Sequence, residues 1–154
     1  MVREKRQGLM PSFSVDISNN SPFLNSQDSN YELRMIFDEA DMLERLEDIF
    51  LVRSIMQESL LELPALIKEL QELSLRGNCH EIEYYAHTLK GLAANVSTHN
   101  LYNSAASLEK SARNGALKNV RELLPEVMFN ARLAHEEIRK ACDSVETCPV
   151  HQPW

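Results

Sequence analysis

Of the five histidines in the chain, His87 has the neighbours that chemistry would need. Glu83 lies four residues before it, Lys90 three after, Gly91 four after and Ala94 seven after. On a helix, these spacings bring all of them to the side of His87. A neutral imidazole carries a lone pair on one ring nitrogen and is a nucleophile near neutral pH. A lysine beside it would offset the charge on the oxygens of an anionic electrophile such as a phosphoryl group. Gly91 and Ala94 leave a low, flat surface beyond the ring. A glycine inside a helix costs about 1 kcal/mol relative to alanine, and close approach by another molecule is one reason to keep it. The bland alternative is an ordinary solvated face, on which a histidine and a lysine meet by accident.

Other constellations are weaker. His80, Glu83 and His87 share a face and suggest a metal-binding bundle as a minor alternative. However, the spacing is neither H-E-x-x-H nor the Glu-x-x-His of di-iron bundles. Cys148 and His151 form a single C-x-x-H near the C-terminus, with Cys142 nearby, which is too little for a zinc site. His99 and His135 have surface or packing explanations. Tyr85 is expected in the core, and Tyr84 at the edge of a partner surface. There is no Gly-rich phosphate loop, so no kinase or ATP-binding activity is expected, and no metal or other cofactor is expected on this chain.

The elements that must carry His87 are helical. From Glu81 to Val96, residues Ile82, Tyr85, Ala86, Leu89, Ala93 and Val96 gather in one stripe at about 100° per residue, and His87 falls roughly 160° from its centre. Three further stripes recur at steps of three and four. These are Val52, Ile55, Ser59, Leu63, Leu66, Leu70 and Leu73; Leu101, Ala105, Leu108 and Ala112; and Val120, Leu124, Val127, Ala131, Ala134, Ile138 and Ala141. Pro64 must kink one helix or divide two. Gly77 suits a left-handed helix end, and Asn78 with Glu81 reads as a capping box. Acid-rich residues 38–48 read as a short additional N-terminal helix. No strand-like alternation appears. The expectation is an all-α fold: an antiparallel up-down four-helix bundle over about 48–75, 79–96, 98–113 and 116–142. Residues 1–30, rich in Ser and Asn, read as a flexible polar arm or linker. Residues 31–142 form the bundle, and 143–154 a tail.

Sixteen basic against 23 acidic residues give a net charge of −7, which argues against nucleic acid and anionic lipid as partners. No apolar run is long enough to span a bilayer. No apolar segment follows the basic start Met1-Val2-Arg3-Glu4-Lys5-Arg6, so no cleaved secretory signal is expected. Three cysteines without a framework spacing suit a reducing, cytoplasmic setting.

The run Ala86-His87-Thr88-Leu89-Lys90-Gly91 resembles the signature of the histidine phosphotransfer (HPt) domain, the relay module of multi-step two-component signalling. Leu60, Pro64, Leu70, Gly77 and Asn78 upstream fit the family's usual spacing. So do Ala93-Ala94-Asn95, Leu101, Ala105, Leu108 and Glu109 downstream. The resemblance spans about residues 38–140. It implies that His87 accepts a phosphoryl group from a receiver-domain aspartate and passes it to a response regulator. Lys90 would be its electrostatic partner and Gly91 would keep the face open, with Glu83, Glu109 and Arg113 as accessories. Either Glu83 or Glu109 would hold the reactive tautomer. The partners implied are receiver domains of a hybrid sensor kinase and of a response regulator, with the divalent metal on the receiver and this chain a monomer. The rival is a non-phosphorylated HPt-like module that only binds receivers. Ser97 departs from the glycine usual after the histidine helix; as a serine it is expected to cap the next helix.

Overall fold

A computed structural model describes residues 26–146. All the regular structure among them is helical: α1 (Ser26–Ile36), α2 (Glu39–Leu46), α3 (Ile49–Arg76), α4 (Cys79–Asn95), α5 (His99–Arg113) and α6 (Leu117–Glu146). No described helix is long and apolar enough to cross a membrane. Two units divide at Glu32/Leu33, and the second carries the bundle.

The four long helices arise where the stripes predict them. α3 packs on α4, α4 on α5 and α5 on α6, and α6 closes the ring against α3. Val52, Leu63, Leu70, Ile82, Leu89, Leu101, Leu108, Val127 and Ile138 are all fully buried. Burial of this apolar surface, at about 25 cal/mol per Å², is what holds the helices together. Buried Ala86, Ala93, Ala105, Ala131 and Ala134 let the backbones approach closely. Met42 and Met56 also fill the core; Met56 follows Ile55 in sequence and lies just off the expected stripe.

The helix ends have physical causes. Asp48 starts α3, its carboxylate accepting from the amides of Phe50 at 2.8 Å and Leu51 at 3.3 Å. Gly77 ends α3 with φ +77°. The amides of Gly77 and Asn78 both donate to the Leu73 carbonyl, which satisfies one of the helix's last acceptors. The Asn78 side chain accepts from the Glu81 amide at 3.2 Å. Only this half of the expected capping box forms, because the Asn78 amide already serves Leu73. Pro64 lies inside α3 without dividing it. The helix loses the bond from residue 64 to the Leu60 carbonyl, and His135 Nε2 on α6 donates to that carbonyl instead, at 3.1 Å.

Three expectations need correction. Among the described residues, two short helices, not one, precede the long four. The polar arm expected over 1–30 stops short, because residues 26–30 already belong to α1; residues 1–25 lie outside the described part. The tail expected from 143 begins later, since α6 continues to Glu146, supported by a 2.8 Å ion pair between Arg139 and Asp143. The rest of that tail, with Cys148 and His151, lies outside the described residues.

Candidate functional site

α4 presents His87 outward, as the wheel predicts. Leu89, two residues on, is fully buried, while 68% of the His87 side chain is exposed. Tyr84 is exposed on the same face, and Tyr85 packs against the core. The Gly91 position is open: a Cβ placed there meets nothing within 4 Å.

The partner of His87 is Glu109, on α5. His87 Nδ1 lies 2.9 Å from Glu109 Oε1. Lys90 Nζ donates to Glu109 Oε2 at 2.5 Å, and Arg113 Nη2 donates to Glu109 Oε1 at 2.8 Å. Arg113 Nε also reaches across to Glu83 Oε1 at 2.8 Å. Glu109 is 4% exposed, lying beneath the three groups that donate to it. The Lys90 ammonium, and to a lesser degree His87, hold its carboxyl below the usual carboxylate range against the upward push of burial. Glu109 is therefore an acceptor with no proton to give, so the hydrogen between it and the ring belongs to Nδ1. In a neutral ring held this way the lone pair is on Nε2, the nitrogen that does not face Glu109.

The sequence left Glu83 and Glu109 as equal candidates to hold the imidazole. The geometry separates them: Glu109 meets His87, and Glu83 meets Arg113. Both cross-helix pairs, 83 with 113 and 87 with 109, are centred on Thr98, a symmetry that could have been counted from the turn. Lys90 reaches across to Glu109 and is mostly covered. His80, Glu83 and His87 do not converge, and among the described residues no group of three His, Cys, Asp or Glu side chains could hold a metal.

Ser97 behaves differently from expectation. It adopts the left-handed region at φ +51°, where glycine is the easier residue. The N-cap of α5 is Thr98, so Ser97 caps nothing there. Its hydroxyl donates to Asp41 Oδ2 at 2.5 Å and accepts from Arg45 Nη2 at 2.8 Å. Arg45 Nη2 also lies 3.1 Å from the Asn95 carbonyl at the end of α4. These bonds fasten α2 over the end of the histidine helix. The hydroxyl of Ser97, with Arg45, holds Asp41 below the usual carboxylate range. No local pattern signals this, because Arg45 and Asp41 lie more than 50 residues from Ser97.

The concave groove between α3 and α6, lined by Leu63, Pro64, Ile67, Met128 and His135, contains none of these groups. The His87 site is an open helix face, a shape suited to meeting another protein surface and not to enclosing a small molecule.

Comparison with known proteins gives the family and the fold. The model of the Hpt domain matches residues 54–148. Among solved structures, histidine-containing phosphotransfer protein B (HptB) from Pseudomonas aeruginosa PAO1 is similar. It superposes with a TM-score of 0.63 at 20% identity, covering 70% of this chain and 95% of that one. No curated protein sequence matches. A family match over more than half of the chain, on a helical bundle that displays the motif histidine outward, places this chain in the Hpt domain family.

Proposed function

We propose that the chain is a phosphorelay intermediate that takes a phosphoryl group from a receiver aspartate onto Nε2 of His87 and passes it to a response regulator. The observation that carries this reading is the contact of His87 Nδ1 with Glu109, which leaves a nucleophilic nitrogen on a solvent-facing ring. The up-down antiparallel course is part of the reading. It is supported by connections of two or three residues between the long helices and by the cross-helix pairs centred on Thr98.

In the forward step, the lone pair of Nε2 attacks phosphorus in line. The P–O bond to the aspartate breaks, and its electron pair returns to the carboxylate. The product ring is cationic and keeps its Nδ1 proton, so Glu109 faces a full positive charge. Lys90 fixes Glu109 with one of its three donors and adds positive potential beneath the phosphoryl oxygens. The divalent metal used in such a transfer is assigned to the receiver. No kinase role is proposed, and the setting is cytoplasmic.

The test is incubation with a phosphorylated receiver, followed by intact mass. One added phosphoryl group, labile in acid and stable in base, is expected on the wild type and absent from His87→Gln. No addition with any receiver of the source organism, from a protein that still binds those receivers, would favour the rival reading as a pure interaction module.

Gly91 provides a separate prediction. Because nothing crowds its Cβ position, Gly91→Ala should stabilise α4 by about 1 kcal/mol and raise the melting temperature by a few degrees. Gly91→Gln should also fold, yet weaken receiver binding through steric block. Titration with a receiver alongside thermal melts checks both. Equal receiver affinity for the wild type and Gly91→Gln would remove this position from the contact.

A further inference from the structure

Protein interiors are close-packed and leave few hollows larger than a water molecule, yet α3 and α6 part over a half-open cavity of about 630 Å³. Its floor is Leu63 and Ala131, both almost fully buried. Its walls are Pro64 and Ile67 from α3 and Met128 from α6. Ala131 has a single methyl and the Pro64 ring is short, so neither reaches across to fill it. The lining residues span 63–71 on one helix and 128–136 on the other, about 12 Å at 1.5 Å per residue. This volume and apolar lining are in the range of small-molecule sites. The polar groups at the edge are not equivalent. Glu136 is bonded to Arg139 at 2.8 Å, so its charge is answered within α6. His135 spends Nε2 on the Leu60 carbonyl. Arg132 and Gln71 line the cavity from opposite helices, and among the described residues neither has a hydrogen bond or ion pair. An unpartnered guanidinium beside apolar surface offers a planar fork that matches a carboxylate with two parallel bonds. The Gln71 amide adds a neutral donor.

Size and charge select the occupant. About 12 Å is some two turns of a partner helix, well short of the roughly 800 Å² per partner that a stable protein interface covers. A second copy of this chain would bring Arg132 against Arg132, because a two-fold contact uses the same patch on both chains. One cation and one neutral donor suit a single negative charge, whereas a phosphate monoester, near −2, would keep a charge unanswered. We infer that the α3–α6 groove is a binding site for a small amphipathic carboxylate, of the medium-chain fatty acid or arylalkanoate class. The apolar tail lies over Leu63 and Ala131, between Ile67 and Met128, and the carboxylate accepts from Arg132 and Gln71. Each methylene taken from water tightens such binding about four-fold, so the tail supplies affinity and Arg132 supplies the choice of charge. The site is separate from His87 and does not depend on its role.

The full chain is titrated calorimetrically at neutral pH with decanoate, octanoate, decanol and decyltrimethylammonium, each below its micelle concentration. Proton–nitrogen NMR of the labelled chain locates the binding. Decanoate should bind once per chain, moving the signals of Leu63, Ile67 and Met128 and leaving that of His87 in place. Octanoate, two methylenes shorter, should bind about ten-fold more weakly. R132A changes an exposed side chain and should fold. It should weaken decanoate by about ten-fold or more, the loss expected for a bond between charged groups, and leave decanol nearly unchanged. M128W should fill the cavity and weaken both. Thermal melts verify that the variants are folded. No saturable binding of decanoate, an equal loss of decanoate and decanol in R132A, or a preference for decyltrimethylammonium would overturn the assignment, as would NMR shifts confined to another face. A doubling of mass in sedimentation that M128W abolishes would make a second copy the occupant and overturn it likewise.

Discussion

Leu89→Asp will not give a cooperatively folded protein at neutral pH, whereas His87→Gln will melt within a degree or two of the wild type. The two positions are neighbours on the same helix, and their difference comes from the angle between them. Leu89 is fully enclosed. A carboxylate there would lose its hydration with no cation in reach, and the transfer of an ionised group to such surroundings costs far more than the loss of a leucine. The leucine itself contributes several kcal/mol through its apolar area and the cavity its removal leaves. Domains of this size have about 5–15 kcal/mol in total, so the combined cost is comparable to the whole. His87 makes one side-chain bond, to Glu109, and most of its surface is in water. Gln can reach the same carboxylate with its amide. Thermal melts by far- and near-ultraviolet circular dichroism check the pair. A folded Leu89→Asp beside an unfolded His87→Gln would place the helix half a turn from its position here.

Glu109→Gln will slow phosphoryl acceptance roughly a hundred-fold, the size expected when a group that sets a proton's position is removed. The amide can still touch the ring, but it no longer demands the Nδ1 proton and carries no charge to balance the cationic phosphoimidazole. Lys90 and Arg113 also lose their shared anion. The same variant should change the acid limb of stability. The folded carboxyl of Glu109 is held below its usual range, first by the Lys90 hydrogen bond and then by His87. A carboxylate depressed in this way stabilises the fold fully above the ordinary glutamate value, about 4.3. That contribution fades as pH falls through the lower folded value. The stability gap between wild type and Glu109→Gln should therefore be widest near neutral pH, on the order of 1–3 kcal/mol for bonds to a charged group, and should narrow below about pH 4. Denaturant unfolding across pH gives the gap, and single-turnover transfer from a phosphorylated receiver gives the rate. A gap that widens on acidification would contradict the charge assignment.

The parts of this molecule legible in the sequence are those governed by local periodicity. The stripes of α3, α4, α5 and α6 place their core residues because a 3.6-residue repeat fixes which side chains share a face. His87 could be turned outward from Leu89 and Ala86 for the same reason. What periodicity does not contain is the choice among partners on other helices. Glu83 and Glu109 were equivalent candidates until the α4–α5 pairing gave one to Arg113 and the other to the ring. Ser97 departs from its expected role for a related reason: local rules favour a serine as a cap, whereas its hydroxyl is taken by Asp41 and Arg45 from a distant helix. The residues 26–30 that read as polar arm begin helix α1, and their polar run Ser26-Gln27-Asp28-Ser29-Asn30 has no apolar repeat to signal it.

The Leu60 carbonyl ties together two positions that no local pattern connects. Pro64 withholds the amide that would have taken it, and His135 supplies one from the opposite helix. An ordinary residue at 64 would close the ladder of α3 by itself, leaving the imidazole a donor without its acceptor. An apolar residue at 135 would leave the carbonyl stranded beside the proline. Each change is disfavoured alone and tolerable in company. Positions 64 and 135 should therefore drift as a pair through descent, a molecular memory of where α3 and α6 must lie alongside one another, kept on the side of the bundle away from His87.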